Sequence, residues 1–124
     1  MLLEIDTQSQ TPIYQQICNQ LILGIATHKL QPGELLPSVR QMADEIGVNM
    51  MTVSKAYSLL KHDGYILTDR RNGTKVAEKQ VLDSSFQERF IKDLELLLAV
   101  ASIHKLSEST VQEEVKQMYQ KFEQ

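Results

Sequence analysis

At 124 residues, 42% of them apolar, the chain suits one compact domain with an appendage and is too apolar to be read as disordered. Its 13 Lys and Arg against 16 Asp and Glu leave a net charge of −3, so there is no general basic coat of the kind that binds nucleic acid indiscriminately. No apolar run is long enough to span a membrane, the N-terminus lacks the basic-then-apolar pattern of a secretory signal, and Cys18 is the lone cysteine, which together imply a cytoplasmic chain without disulfides or membrane partner.

The charge is unevenly spread. Residues 1–80 hold eight Lys/Arg and eight Asp/Glu, whereas residues 81–124 hold five and eight. The acidic excess therefore lies in the tail, and the front is neutral with local basic points. Local cations near phosphates decide DNA affinity, so a neutral front predicts modest non-specific binding and reliance on two copies.

In chain order, residues 1–10 read as a short strand or an arm, with Leu3 and Ile5 alternating with Glu4 and Asp6. Thr11 reads as an N-cap with Pro12 at the first helical position. Ile13, Tyr14, Ile17, Cys18, Leu21, Ile22 and Ile25 then form one broad apolar face, with Gly24 implying a close neighbour. Cys18 on that face reads as a buried structural thiol. Pro32 and Gly33 mark a turn, and Leu35 and Leu36 are expected to anchor this loop to the core.

The informative stretch is 36–63. Ser38 and Gln41 form a capping box, Val39, Met42, Ala43 and Ile46 make one stripe, and Gly47 stops the helix. Asn49 caps a second helix whose Val53, Ala56, Tyr57 and Leu60 repeat the stripe. Two residues between the first helix and the next cap is helix-turn-helix spacing. On the second helix Met51, Lys55, Ser58 and His62 lie opposite the buried stripe, with Asn49, Thr52 and Ser54 flanking its N-terminal end. These are the short donors, acceptors and cation that reach base edges and phosphates, although an amphipathic hairpin with a solvated face has the same pattern. One of Met50 and Met51 is expected to meet thymine methyls and the other to fill the turn.

After Gly64, two β-prone runs surround an Asn-Gly turn, which predicts a hairpin with Arg70 and Arg71 at its tip and Lys75 on the return strand. Three helices followed by a basic hairpin describe a winged helix, and the cations are placed to meet phosphates or the minor groove. Residues 78–84 read as a linker. From about Ser84, Phe86, Phe90, Leu94, Leu97, Leu98 and Ala101 form a stripe that Ile91 and Val100 widen, ending near His104 and Lys105. Ser107 caps a last helix carrying Val111, Val115, Met118 and Phe122. Two antiparallel helices cannot use up both stripes, so these residues are expected to form a homodimer interface rather than to fold back onto the winged helix. The fold expected is mainly α (α+β): a winged helix-turn-helix over 1–79 and a two-helix dimerisation tail over 80–124.

Three stretches give the chain a specific family likeness. They are PIYQQI at 12–17, PGELLPSVR at 32–40 with Met42, Ala43, Gly47 and Val48 after it, and residues 49–66 with Gly73 to Val76. Over about residues 5–77 the chain resembles the GntR family of bacterial transcription regulators, and its short tail is similar to the YtrA subfamily, whose tails dimerise. The resemblance implies that Ser38 and Arg40 meet DNA, with Arg40 on a phosphate or a guanine edge. It implies that Asn49, Met51 and Thr52 lie at the groove end of the recognition helix, while Ser54 is placed there by the helix pattern alone. Lys55 would meet a phosphate and Gly73 would let the wing backbone approach the minor groove, while Arg70 and Arg71 are assigned to DNA from their place at the hairpin tip. The chain departs from the family at Val39 (often Glu), Ser54 (often Arg), Arg71 (commonly Gly) and Lys75 (commonly aromatic).

The function expected is a homodimeric repressor in a bacterial cytoplasm, bound to an inverted-repeat double-stranded operator. The resemblance suggests its own operon, or a neighbouring transporter operon, as the target. The competing reading is a winged-helix protein-interaction module without DNA. His28, His62 and His104 lie in different elements without ligand spacing, Cys18 has no base near it, and no glycine-rich phosphate loop is present, so no catalytic residue, metal or cofactor is expected. The residues name no small-molecule effector; helices this short leave only the dimer interface, or the junction of tail and winged helix, to hold one.

Overall fold

The computed structural model describes residues 3–78 and 83–123. It divides into two compact units, Met1–Gln80 and Val81–Gln124.

In the first unit, α1 (Ile13–Ala26), α2 (Val39–Ile46) and α3 (Met50–His62) precede an antiparallel hairpin of β1 (Ile66–Asp69) and β2 (Gly73–Val76). The core is the sum of the stripes: Ile17, Cys18 and Leu21 from α1, Met42 and Ala43 from α2, and Val53, Ala56, Tyr57 and Leu60 from α3, closed by Leu30, Leu36, Ile66 and Val76. Cys18 is a buried core thiol whose Sγ donates to the Ala56 carbonyl at 3.5 Å, and burial pushes its pKa up, with the charge of Asp63 adding to the effect. Gly24 meets Leu30 so closely that a Cβ there would lie 3.0 Å from Leu30 Cδ1.

Two details differ from expectation, and one alternative left open is decided. Pro12, not Thr11, is the α1 N-cap, and no side chain caps it. Gln16 reaches back instead, its Nε2 donating to the carbonyls of Thr11 at 2.8 Å and Asp6 at 2.9 Å. The N-terminal residues form an arm rather than a strand, with Leu3 and Ile5 packed on the core and the Glu4 N–H donating to Gln20 Oε1 at 2.9 Å. Finally, Leu36 is buried but Leu35 is 63% exposed. The cause is a third rung on the hairpin. Gly33 N–H donates to the Val76 carbonyl, Val76 N–H to Glu34 and Leu36 N–H to Thr74, at 2.8–2.9 Å, and Leu35 bridges Lys75. Backbone in that extended state sends successive side chains to opposite faces, so only one of the two leucines faces the core.

In the second unit, α4 (Ser84–Ile103) and α5 (Glu108–Phe122) are capped by Asp83, which accepts from Ser85 N–H, and Ser107, which accepts from Thr110 N–H. A left-handed residue, Lys105 at φ +64, ends α4, with Leu106 N–H donating to the Ala101 carbonyl at 2.9 Å. The expected linker lies partly outside the described residues, since 79–82 are not among them. No residue of α4 or α5 is buried. Of the ten tail positions singled out for dimerisation, Leu94, Ala101, Val111 and Phe122 are half-covered, while Phe86, Phe90, Leu97, Leu98, Val115 and Met118 stand exposed. Ile103, Leu106 and Tyr119, which the stripe left out, are exposed as well. Among the described residues no helix is long and apolar enough to cross a membrane.

Candidate nucleic-acid interface

The helix pair is held by local chemistry. Ser38 Oγ accepts from Gln41 N–H at 3.1 Å while Gln41 Oε1 accepts from Ser38 N–H at 2.9 Å, which completes the capping box. Gly47 at φ +71 takes the left-handed conformation that stops α2, and Val48 N–H closes onto the Ala43 carbonyl at 3.1 Å. Asn49 Oδ1 accepts from Met51 N–H at 2.6 Å and so caps α3. Tyr57, buried in the core, donates its hydroxyl to the Pro37 carbonyl at 2.7 Å, which fixes α3 against the entry to α2. Burial, with the Glu45 carboxylate adding to it, pushes the Tyr57 phenol up to about 12, so it stays neutral and a donor.

This frame leaves one face of α3 bare. Met51, Ser54, Lys55, Ser58 and His62 are exposed and Thr52 is half-buried. Met51, at 79% exposure, is the most exposed large apolar side chain among the described residues. Met50 is 46% exposed, so neither methionine fills the turn, as one of the two was expected to do. Val48, packed against the core, does that instead, because Met50 is already the first residue of the helix and lies outside the turn. Ser38 and Arg40 are exposed at the start of α2, and Asn49 is exposed at the start of α3. The aligned peptides of α3 place partial positive charge at that same end.

The sequence pattern missed one partner. Lys55 Nζ lies 3.9 Å from the centre of the Tyr14 ring on α1, a cation–π contact that parks the ammonium at the α1–α3 seam. Both residues were visible on their helices; the pairing of those faces was not.

At the wing, residues 70–72 connect Asp69 to Gly73, which pair across the hairpin. Gly73 has φ +77, so the left-handed residue closes a three-residue loop. The Asp69 carboxylate accepts from Arg71 N–H at 2.9 Å and Asn72 Nδ2 at 3.0 Å, which orders the tip and sets a negative charge beneath Arg70 and Arg71. Both arginines are exposed, and Lys75 is half-buried on the return strand. The ten positions singled out for DNA thus fall on three pieces of the first unit: the start of α2, the N-terminal half of α3 and the hairpin tip. Among the described residues no group of three His, Cys, Asp or Glu is placed to hold a metal ion.

Comparison with known proteins agrees with this geometry. Residues 13–76 match the family of bacterial regulatory proteins named gntR. The HTH-type transcriptional repressor YtrA of Bacillus subtilis is 44% identical over 77 residues, which cover 62% of this chain and 59% of the relative, less than two thirds of its length. Three solved structures are similar. A transcriptional antiterminator from Listeria monocytogenes has a TM-score of 0.88 and 28% identity, over 94% of this chain and 89% of its own. YtrA from Sulfolobus acidocaldarius, a GntR-family transcription factor, has a TM-score of 0.61 and 35% identity, over 98% and 99%. AraR(DBD) in complex with operator ORX1 has a TM-score of 0.55 and 26% identity, over 62% of this chain and 99% of that one. The chain belongs to the gntR family of bacterial regulatory proteins, in its YtrA-like branch, as a winged-helix DNA-binding transcription regulator and not an enzyme.

Proposed function

We propose that this chain is a homodimeric repressor, working in the cytoplasm on the operon that contains its own gene. Two copies of α3 enter successive major-groove faces of an inverted repeat whose half-sites lie about one or two helical turns apart. The observation that carries this reading is the bare N-terminal face of α3, mounted on a helix whose other side is four buried residues, in a unit that also carries an exposed arginine pair at its hairpin tip. The relative named as a repressor and the similar domain bound to its operator support it. The uncovered apolar residues of α4 and α5 support a second copy as their cover.

Arg40, exposed in the first turn of α2, takes a phosphate or guanine edge; Asn49, Met51 and Thr52 take bases; Lys55, Arg70 and Arg71 take phosphates. The test is a gel-shift titration of duplex from the protein's own promoter against scrambled duplex, at salt from about 50 to 200 mM. Preferential binding with two protomers per site and a steep salt dependence is expected, and Arg40→Ala should lose about 1–3 kcal/mol. Equal affinity for both duplexes at every salt concentration would overturn the reading and favour a protein-interaction module.

A further inference from the structure

On the operator-binding reading above, we infer that Met51 selects a thymine in each half-site by packing its thioether on the base's C5-methyl group. Three observations lead there. Asn49 looks at first like the adenine reader, but an asparagine reads adenine with its carbonyl and amide together. Its Oδ1 is turned to the helix end by the 2.6 Å bond from Met51 N–H, so Asn49 keeps only its Nδ2 donors for the groove. Thr52 is half-buried and Ser54 carries a short hydroxyl, neither of which supplies an extended two-point match. What remains at the tip of the helix is Met51, 79% exposed and in one row with Lys55, Ser58 and His62. Met50 sits a step around the helix, nearer the buried stripe, and is the more covered of the two.

The major groove offers an exposed thioether one apolar group, the thymine methyl; the other bases present heteroatoms or a bare C–H at that edge. A flexible, polarizable side chain adapts to that methyl without a fixed hydrogen-bond geometry. Met51 therefore reads shape and apolarity where other positions of α3 read polarity.

The test begins with selection of binding duplexes from a randomised library by the full chain. An invariant thymine should appear at one symmetric position of each half-site. Replacing that thymine by deoxyuridine removes the methyl alone and should weaken binding about fourfold per half-site, the equivalent of one buried methyl group. Met51→Ala, a substitution helices tolerate well, should bind thymine and deoxyuridine duplexes equally. Selected sites that lack an invariant thymine, or a Met51→Ala variant that keeps the deoxyuridine penalty, would overturn the inference and leave operator binding intact. A library from which no sequence is enriched would overturn both.

Discussion

Tyr57→Phe removes a single oxygen from the middle of the helix pair, and its consequence is calculable at two pH values. Tyr57 is 1% exposed and its hydroxyl bonds the Pro37 carbonyl at 2.7 Å, immediately before the Ser38 cap. Losing that bond should cost about 1 kcal/mol near neutral pH, which in a domain of this size lowers the unfolding midpoint by about 4–8 °C. The alkaline side runs the other way. The folded phenol titrates at about 12 against 10.0 for the free group, because burial, and after it the Glu45 carboxylate, opposes its ionisation. A pKa raised by folding means the native chain holds the proton more tightly. The resulting stability is complete below pH 10 and is lost as pH rises to about 12. Two units correspond to about 3 kcal/mol. Phenylalanine has no such loss. The wild-type advantage should therefore shrink above pH 10 and change sign near about pH 11. Denaturant unfolding of both proteins, followed by circular dichroism at equal concentration across pH 7 to 11.5, gives the difference directly. Parallel curves that never cross would refute the assignment of a buried, donating phenol.

Other substitutions probe the remaining pieces. Leu97→Glu alters a side chain that is 67% exposed in the single chain, so the fold should survive while the protein sediments as a monomer at micromolar concentration; an unchanged dimer would remove Leu97 from the interface. Lys55→Gln should lower the salt slope of operator binding by about one counterion, and Tyr14→Leu, which frees the ammonium from its ring, should weaken binding only while Lys55 is present; additive effects in the double variant would separate the two residues. Gly47→Ala should cost about 1 kcal/mol of unfolding free energy, since nothing lies within 4 Å of the added methyl and only the φ of +71 opposes it; a neutral result would deny the left-handed stop.

The helix pair was readable because its determinants are local. Ser38 with Gln41, Gly47 and Asn49 act within one turn of their own position, and the spacing of Val53, Ala56, Tyr57 and Leu60 belongs to one helix. The rung from Leu35 to Lys75 was not readable, because its two halves lie far apart in sequence and the loop has no strand pattern of its own; the exposure of Leu35 follows from that. The contact between Tyr14 and Lys55 was hidden for the same reason. At the proposed DNA face the exposed row on α3 was legible, but a pattern of residue types does not show the geometry in which each polar atom is held. Asn49 was legible as a cap; the structure adds that its Oδ1 takes the Met51 N–H, which leaves only its Nδ2 free to face a groove. In the tail, a heptad-like stripe marks apolar positions without saying that Leu94 is half-covered and Leu97 bare.

The backbone that bonds β2 at Glu34 and Leu36 runs on through Pro37 into the Ser38 cap, so the hairpin cannot tilt without dragging the mouth of α2 with it. On the operator-binding proposal, the recognition helix and the hairpin tip then act as a two-pronged gauge whose gap is set before DNA arrives. Little ordering entropy is then lost on docking, and a duplex whose groove spacing departs from the gauge must bend to fit or be refused.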